Sequence, residues 1–328
     1  MIISKTPFRI SFFGGGTDLP DFYSKHGGAV VSTTINKYMY LMAHPKFDGN
    51  FRICYSQTED ARTPQEIRHP IVRESLKHLG INKGLVIFSM ADVPAGTGLG
   101  SSSCYTVGLL HALHALKGEL VDSAKLAEEA CEIEIGKIGS PIGKQDQYAA
   151  AFGGFNFIQF NKDESVKVES LSLGKTTLRD LEESMMLFYT NVSRNADEIL
   201  SEQKKNIASK EATLKKMTEM AFESRDKLKA GDLEGFAKML DAGWKHKKTL
   251  ASKISNNTLD KYYQKAIKAG AIGGKVPGAG GGGFIMLLCD PEKKHAVREA
   301  LSDLQEYPVK LEKRGSQVIF IGEDNGEI

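Results

Sequence analysis

The chain has 328 residues, a formal net charge of +2, and 41% hydrophobic and 26% charged residues. That length accommodates one large domain or two of ordinary size, and the near-neutral balance excludes both a disordered chain and an overall electrostatic drive towards nucleic acid. No apolar run is long enough to span a bilayer, and the N-terminal Met1–Arg9 stretch has no signal-peptide core. Cys54, Cys104, Cys131 and Cys289 are scattered without a paired spacing, so the expectation is a cytoplasmic protein with free thiols that binds neither membrane nor nucleic acid.

In chain order, Ile2–Phe13 and Ala29–Ala43 are β-branched and aromatic runs that read as strands around a Gly/Asp/Pro turn, Gly14–Pro20. Phe51–Ser56 reads as a further strand, Glu66–Leu79 as a helix and Leu85–Ala91 as a strand. A glycine loop follows, and Ser101–Ser103 open a nearly all-apolar helix to Lys117 that is expected to be buried on most sides. Asp122 caps a helix running to about Gly136. Gly139, Pro141 and Gly143 break the chain before a helix over Gln145–Phe152, and Phe155–Phe160 returns as a strand.

The second half opens with a strand, Met185–Thr190, followed by helices over Asp197–Lys229, Leu233–Leu250 and Leu259–Ala269. Strands at Ala271–Val276 and Gly283–Cys289, a helix over Pro291–Leu304 and extended segments to Ile321 complete a β-α-β-β-α-β series, the ferredoxin-like plan. The expected division is near residue 183, giving an N-terminal nucleotide- and substrate-binding domain, 1–183, and a C-terminal domain, 184–328. The charges of Lys204–Lys229 alternate in sign, which fits a solvated helix face better than a basic patch.

The chemistry-bearing residues fall in clusters. Pro94-Ala-Gly96-Thr-Gly98-Leu99-Gly100-Ser101-Ser102-Ser103 combines glycines, which let the backbone turn its N–H groups inward, with a helix start that adds free donors and positive dipole; this is a place to hold a polyphosphate. It is neither a Walker A loop nor a GxGxxG dinucleotide fingerprint. The nearest Walker-like stretch, Gly270–Val276, has Val276 where a hydroxyl is needed. Glu134 and Asp146 stand on either side of the helix-breaking stretch, which allows both to turn towards one loop. One carboxylate and one hydroxyl suit nucleotide-bound magnesium, and a second carboxylate suits a general base; alone, Glu134 also reads as one solvated acid among Glu128, Glu129 and Glu132. Pro277–Gly283 carries five glycines in seven residues, more than a hairpin needs, and implies close approach of a ligand or another backbone. Arg9 lies on a strand that otherwise reads as buried, and Asp18, after its glycine turn, suits either an Asx-turn or vicinal sugar hydroxyls. His111 and His114 lie on the buried helix with no acidic third ligand nearby, which favours a packed or hydrogen-bonded role over zinc.

Together and in this order, Pro7–Asp18, PxxxGLGSSx at Pro94–Ser103 and the glycine loop at Pro277–Gly283 resemble the three motifs of the GHMP small-molecule kinases over nearly the whole chain. The resemblance implies an α+β, two-domain fold, with a ribosomal-protein-like N-terminal β/α domain and a ferredoxin-like C-terminal domain. It implies ATP and Mg2+ as cofactors, nucleotide binding by Pro94, Gly96, Gly98, Leu99, Gly100 and Ser101–Ser103, and magnesium ligation by Ser101 or Ser102 with Glu134. Asp146 matches the catalytic base, and Arg9 a second catalytic position. Asp18, with Thr17 and Gly16, falls where galactokinases hold their sugar; Gly278, Gly280 and Gly281 of the third motif join the substrate-binding expectation. Galactokinases carry Glu-His before Thr-Asp, whereas Gly15-Gly16 stands here, so the sugar contacts are expected to differ. Phe12–Pro20 and Gly139–Ala150 resemble more closely the branch of heptose 7-phosphate kinases, whose relatives act on fucose. That implies a sugar phosphate acceptor and a cationic pocket, for which Lys144 and Arg194 are the candidates. A fucose or other hexose kinase and a non-catalytic sugar sensor are the alternative readings, and the chain is expected to be a monomer or homodimer.

Overall fold

The computed structural model describes residues 1–192 and 196–322. The first half begins with β1 (Ile2–Phe13), α1 (Pro20–His26) and the long β2 (Gly28–Pro45). After β3 (Phe51–Cys54) and β4 (Thr58–Ala61) come α2 (Pro70–His78), β5 (Leu85–Ala91), α3 (Ser101–Leu116) and α4 (Ser123–Cys131). A π-helical turn over Glu132–Lys137 extends α4, and α5 (Gln145–Phe152), β6 (Phe155–Phe160), β7 (Val166–Ser170) and α6 (Lys175–Ser184) follow.

These strands build a nine-stranded sheet around β1 and β2. β2 is long enough to take two further partners, β6 along Gly28–Thr33 and β5 along Met39–Pro45, while β1 runs antiparallel along its other edge. The β1–β2 register slips between Pro7 and Arg9, and there the backbone N–H of Arg9 donates to Leu99 O at 3.1 Å. A bulge of this kind re-aims a side chain; here it turns Arg9 to the glycine loop. α3 lies against β1 and β2 and is buried almost throughout, as its all-apolar composition requires.

The second half contains β8 (Met185–Tyr189), α7 (Ala196–Lys205), α8 (Glu211–Ala230), α9 (Leu233–Lys248), α10 (Asn257–Lys268), β9 (Ala271–Lys275), β10 (Phe284–Cys289), α11 (Lys294–Ala300) and β11 (Gln305–Glu306). Its four-stranded sheet has the order β11-β8-β10-β9 with antiparallel pairing throughout, the ferredoxin-like arrangement. The last two strands, β12 (Leu311–Glu312) and β13 (Gln317–Ile321), pair with β2 and β1 of the first sheet. Residues 311–321 therefore lie with the N-terminal layer rather than in the C-terminal unit expected from sequence, because the free edge of β1 takes β13 as its partner. Helices α8 and α9 also reach β1, and Phe236 meets Phe12 and Phe13 edge-on at 5.3 and 5.1 Å, so one apolar core runs across both sheets.

Other departures are local. The helix expected over Asp197–Lys229 is two helices, α7 and α8, separated by a tight turn at Ala208–Lys210. The helix expected from Glu66 begins at Pro70, where His69 caps it by accepting from the Val72 N–H. α1, β4, β7 and α6 are additional to the expected elements, although Pro20 at the start of α1 and Gly27 just after it are ordinary helix start and stop signals. His111 bonds Ser316 at 3.0 Å and His114 is held between Glu119 and Glu129 at 2.6 Å each, a hydrogen-bonded role for both; the four cysteines are free thiols. Among the described residues, no helix is long and apolar enough to cross a membrane.

β9 delivers one charge into this core. Lys275 is 6% exposed, and its ammonium donates to Phe12 O at 3.0 Å. Burial, then the Lys247 and Arg9 cations, pull its pKa down from 10.5 to about 7, with Asp18 opposing. The folded chain thus holds fewer protons than the unfolded chain between about pH 7 and 10.5. The penalty is full below that window and fades as pH rises through it. Lys275→Met lacks this dependence. Urea unfolding at pH 7 and 9.5 should show the wild type gaining on the variant by about 2–3 kcal/mol over that interval.

Candidate active site

The loop after β5 turns on Gly96, Gly98 and Gly100, whose φ values of 76°, 87° and 81° lie in the left-handed region that side chains resist. Gly100 is the residue before α3, so the N–H groups of the first helical turn point out of the loop with Ser101–Ser103 beside them. Thr97 donates to Pro94 O at 3.0 Å and Leu99 is fully buried, which anchors the loop at both ends. The loop at Pro277–Gly283 lies directly upon it. A Cβ on Gly278 would fall 2.8 Å from Gly98 Cα, and one on Gly283 2.3 Å from Thr97 O. The third motif is thus a backbone-on-backbone contact: Gly278 faces the cleft, whereas a Cβ on Gly280 would strike Ile254 O and the Gly281 N–H donates to that same oxygen at 2.7 Å.

The cleft beside the glycine loop meets a second, smaller cavity at Arg9 and Asp146. Arg9 is 2% exposed and grips Asp146 through two parallel bonds, Nε to Oδ1 and Nη2 to Oδ2, each 2.6 Å. Its remaining amine nitrogen donates to Gly98 O at 2.7 Å. One guanidinium therefore sets the carboxylate against the glycine loop, with the planar fork geometry that only arginine supplies.

Glu134 lies beneath the first turn of α3. The π-helical turn extending α4 carries it there, where Ser102 Oγ donates to Oε1 at 2.5 Å and Gln147 Nε2 to Oε2 at 2.7 Å. A widened turn of this type commonly marks a functional position. Burial pushes the Glu134 carboxyl up from 4.5; its bonds with Ser102, Ser103 and Gln147 oppose this, and the Asp146 charge reinforces it. Carboxylate and hydroxyl are hard oxygen donors of the kind magnesium takes. Among the described residues no group of three or more His, Cys, Asp or Glu is placed to hold a metal ion, so Glu134 and Ser102 would leave most of a cation's shell to phosphate and water.

Asp18 lines the smaller cavity. Its Oδ1 accepts from the Gly16 N–H at 2.8 Å and Oδ2 from the Gln145 N–H at 3.3 Å, and burial raises its pKa against those bonds. Gly16 lines the same cavity, but Thr17 does not: its hydroxyl is exchanged with the backbone of Ala29 and serves the turn. Lys144 departs from expectation. Its ammonium pairs with Glu164 at 2.7 Å over the Tyr23 ring, outside the cavity, because the α5 start that directs Asp146 inward directs its neighbour two residues earlier outward. Arg194 lies outside the described residues.

Gln203 on α7 and Lys247 on α9, together with Gln145, line this cavity without having been singled out in the sequence. A signal was present. Lys247 follows Phe236, Leu240 and Trp244 on the buried face of α9, and Gln203 follows Ile199 on that of α7; a polar residue in phase with an apolar stripe has a partner to meet.

Residues 68–154 match the GHMP kinases N terminal domain and residues 224–306 the GHMP kinases C terminal. The D-glycero-alpha-D-manno-heptose 7-phosphate kinase of Campylobacter jejuni is 33% identical over 93% of this chain and 94% of its own length. A galactokinase of Pyrococcus furiosus is 30% identical over 94% of each chain. A crystal structure named as a D-glycero-D-manno-heptose 1-phosphate kinase from Bacteroides thetaiotaomicron superposes with a TM-score of 0.82, at 27% identity over 98% of this chain and 100% of that one. The chain belongs to the GHMP kinases. It is an ATP-dependent sugar kinase.

Glu134→Gln separates the charge from the shape. A carboxyl raised on folding favours the folded state only while protonated, so its contribution is lost as pH rises above 4.5. The Gln147 Oε1, unpartnered beside it, can turn to accept from the new amide. The variant should melt higher than the wild type at pH 7, the gap should close below pH 4.5, and turnover should fall at least a hundredfold.

Proposed function

We propose that the protein transfers the γ-phosphoryl group of ATP to the anomeric hydroxyl of D-glycero-D-manno-heptose 7-phosphate, giving the 1,7-bisphosphate for GDP-heptose and surface polysaccharide synthesis. The observation that carries this is the meeting of a glycine-loop cleft and an Asp18-lined cavity at one arginine-held carboxylate. Two of the relatives bear heptose kinase names, one naming a sugar phosphorylated at position 7 and the other at position 1. The first name supports the acceptor proposed here, and the second names a sugar whose anomeric oxygen already carries phosphate.

In this reading the glycine loop and the first turn of α3 cradle the triphosphate, and Asp18 orients vicinal hydroxyls of the sugar. Asp146 accepts the proton as the anomeric oxygen bonds to γ-phosphorus and the bond to the bridging oxygen breaks, releasing ADP. Arg9 occupies one lone pair on each Asp146 oxygen and leaves others to take that proton. Glu134 and Ser102 or Ser101 would hold Mg2+, which supplies charge neutralisation at the phosphates when bound. Positioning and charge neutralisation do most of the work in such transfers.

Asp146→Asn keeps one oxygen for Arg9 but loses the charge, and should melt at a lower temperature and still bind ATP while kcat falls about a thousandfold; near wild-type turnover would remove Asp146 from its role. A panel of heptose 7-phosphate, free heptose, L-fucose and galactose, assayed for ADP release, tests the acceptor. At least tenfold higher kcat/KM for heptose 7-phosphate supports the reading, and preference for another sugar overturns it.

A further inference from the structure

Gly15 and Gly16 stand at the edge of the acceptor cavity with no side chains of their own. Three amine- or amide-bearing side chains from elsewhere fill the space above them. A Cβ on Gly16 would fall 2.2 Å from Gln203 Nε2, and one on Gly15 would fall 3.6 Å from Gln145 Nε2 and 4.0 Å from Lys247 Nζ. Gln203 and Lys247 are 1% and 3% exposed and come from α7 and α9, helices of the second half.

The hydrogen-bond inventory fixes how Gln203 points. Lys247 Nζ donates to Gln203 Oε1 and to Gly15 O, both at 3.0 Å. An ammonium only donates, so the amide oxygen must face the lysine and the amide nitrogen must face away from it. That nitrogen, Gln203 Nε2, is buried, lies over Gly16 and has no hydrogen-bond partner among the described residues, and Gly16 and Gln203 both line the cavity. A buried donor left unmet is costly and rare in a native fold, and a ligand oxygen would meet it.

We infer that Gln203, held in place by Lys247, is a specificity-determining residue of this kinase: its Nε2 donates to an oxygen of the bound sugar, in the space that side chains at positions 15 and 16 would otherwise occupy. Gly16 is then required as a cavity for the amide, not only as a turn. The second half of the chain thereby reads the acceptor, while the first half holds the phosphates and the base. This rests on the smaller cavity being the acceptor site, and it holds for any sugar the enzyme phosphorylates.

The test is steady-state kinetics of Gln203→Met with the best acceptor of the wild-type panel. Removing one donor to a substrate oxygen should raise the acceptor KM about tenfold, with the ATP KM unchanged. The melting temperature should fall modestly, because Lys247 Nζ loses the Gln203 Oε1 acceptor and keeps Gly15 O. Gln203→Glu keeps an oxygen for Lys247 but offers no donor, and should raise the acceptor KM in the same way, which keeps the test in force if Gln203→Met does not fold. An acceptor KM equal to wild type in either folded variant overturns the inference, as does an equal rise in both KM values, which marks a merely structural role. Failure of the wild type on heptose 7-phosphate would refute the proposed acceptor without touching this result, because the variants are compared on whichever sugar the wild type turns over.

Discussion

A single buried guanidinium organises the site. Arg9 leaves the β1–β2 ladder at a bulge, and its side chain ties Asp146 at the start of α5 to Gly98 in the glycine loop. A buried arginine is costly unless its charge and donors find partners, and here a carboxylate neutralises the charge and, with one carbonyl, takes three of the five N–H donors. The bond that satisfies the charge is also the bond that sets the distance between the Asp146 carboxylate and the glycine loop. Stability of the pair and placement of the chemistry are one requirement.

The glycines complete that arrangement by removing bulk. Gly278 approaches Gly98 so closely that it could carry no side chain at the contact, and Gly283 rests on the carbonyl of Thr97 in the same way. The second half of the molecule is thus locked onto the nucleotide loop through backbone atoms. The same lock carries α7 and α9 to the acceptor cavity, which is why residues more than a hundred positions from the glycine loop line the space beside it.

Burial sets the electrostatics of the site more than any one pair does. Asp18 and Glu134 are both pushed up and Lys275 down by loss of solvent, with neighbouring charges adding to the effect. A dense set of desolvated acids and bases costs folding energy. Sites that handle phosphate commonly carry this imbalance.

The sequence by itself determined the local chemistry. Strands alternating with apolar helices, the Pro94–Ser103 loop, the Pro277–Gly283 run and the β-α-β-β-α-β order were legible because each rests on neighbours in the chain: periodicity, glycine geometry and helix starts. Glu134 and Asp146 were legible as types of residue, and their convergence followed only from the π-helical turn and the Arg9 bulge, which depend on packing across the sheet. The outward turn of Lys144, the return of β13 to the first sheet and the inward placement of Gln203 and Lys247 were decided by tertiary structure alone. Hydrophobic period tells which helix face is buried but not what it is buried against, and a polar residue on that face acquires its role from whatever strand or loop the fold brings opposite.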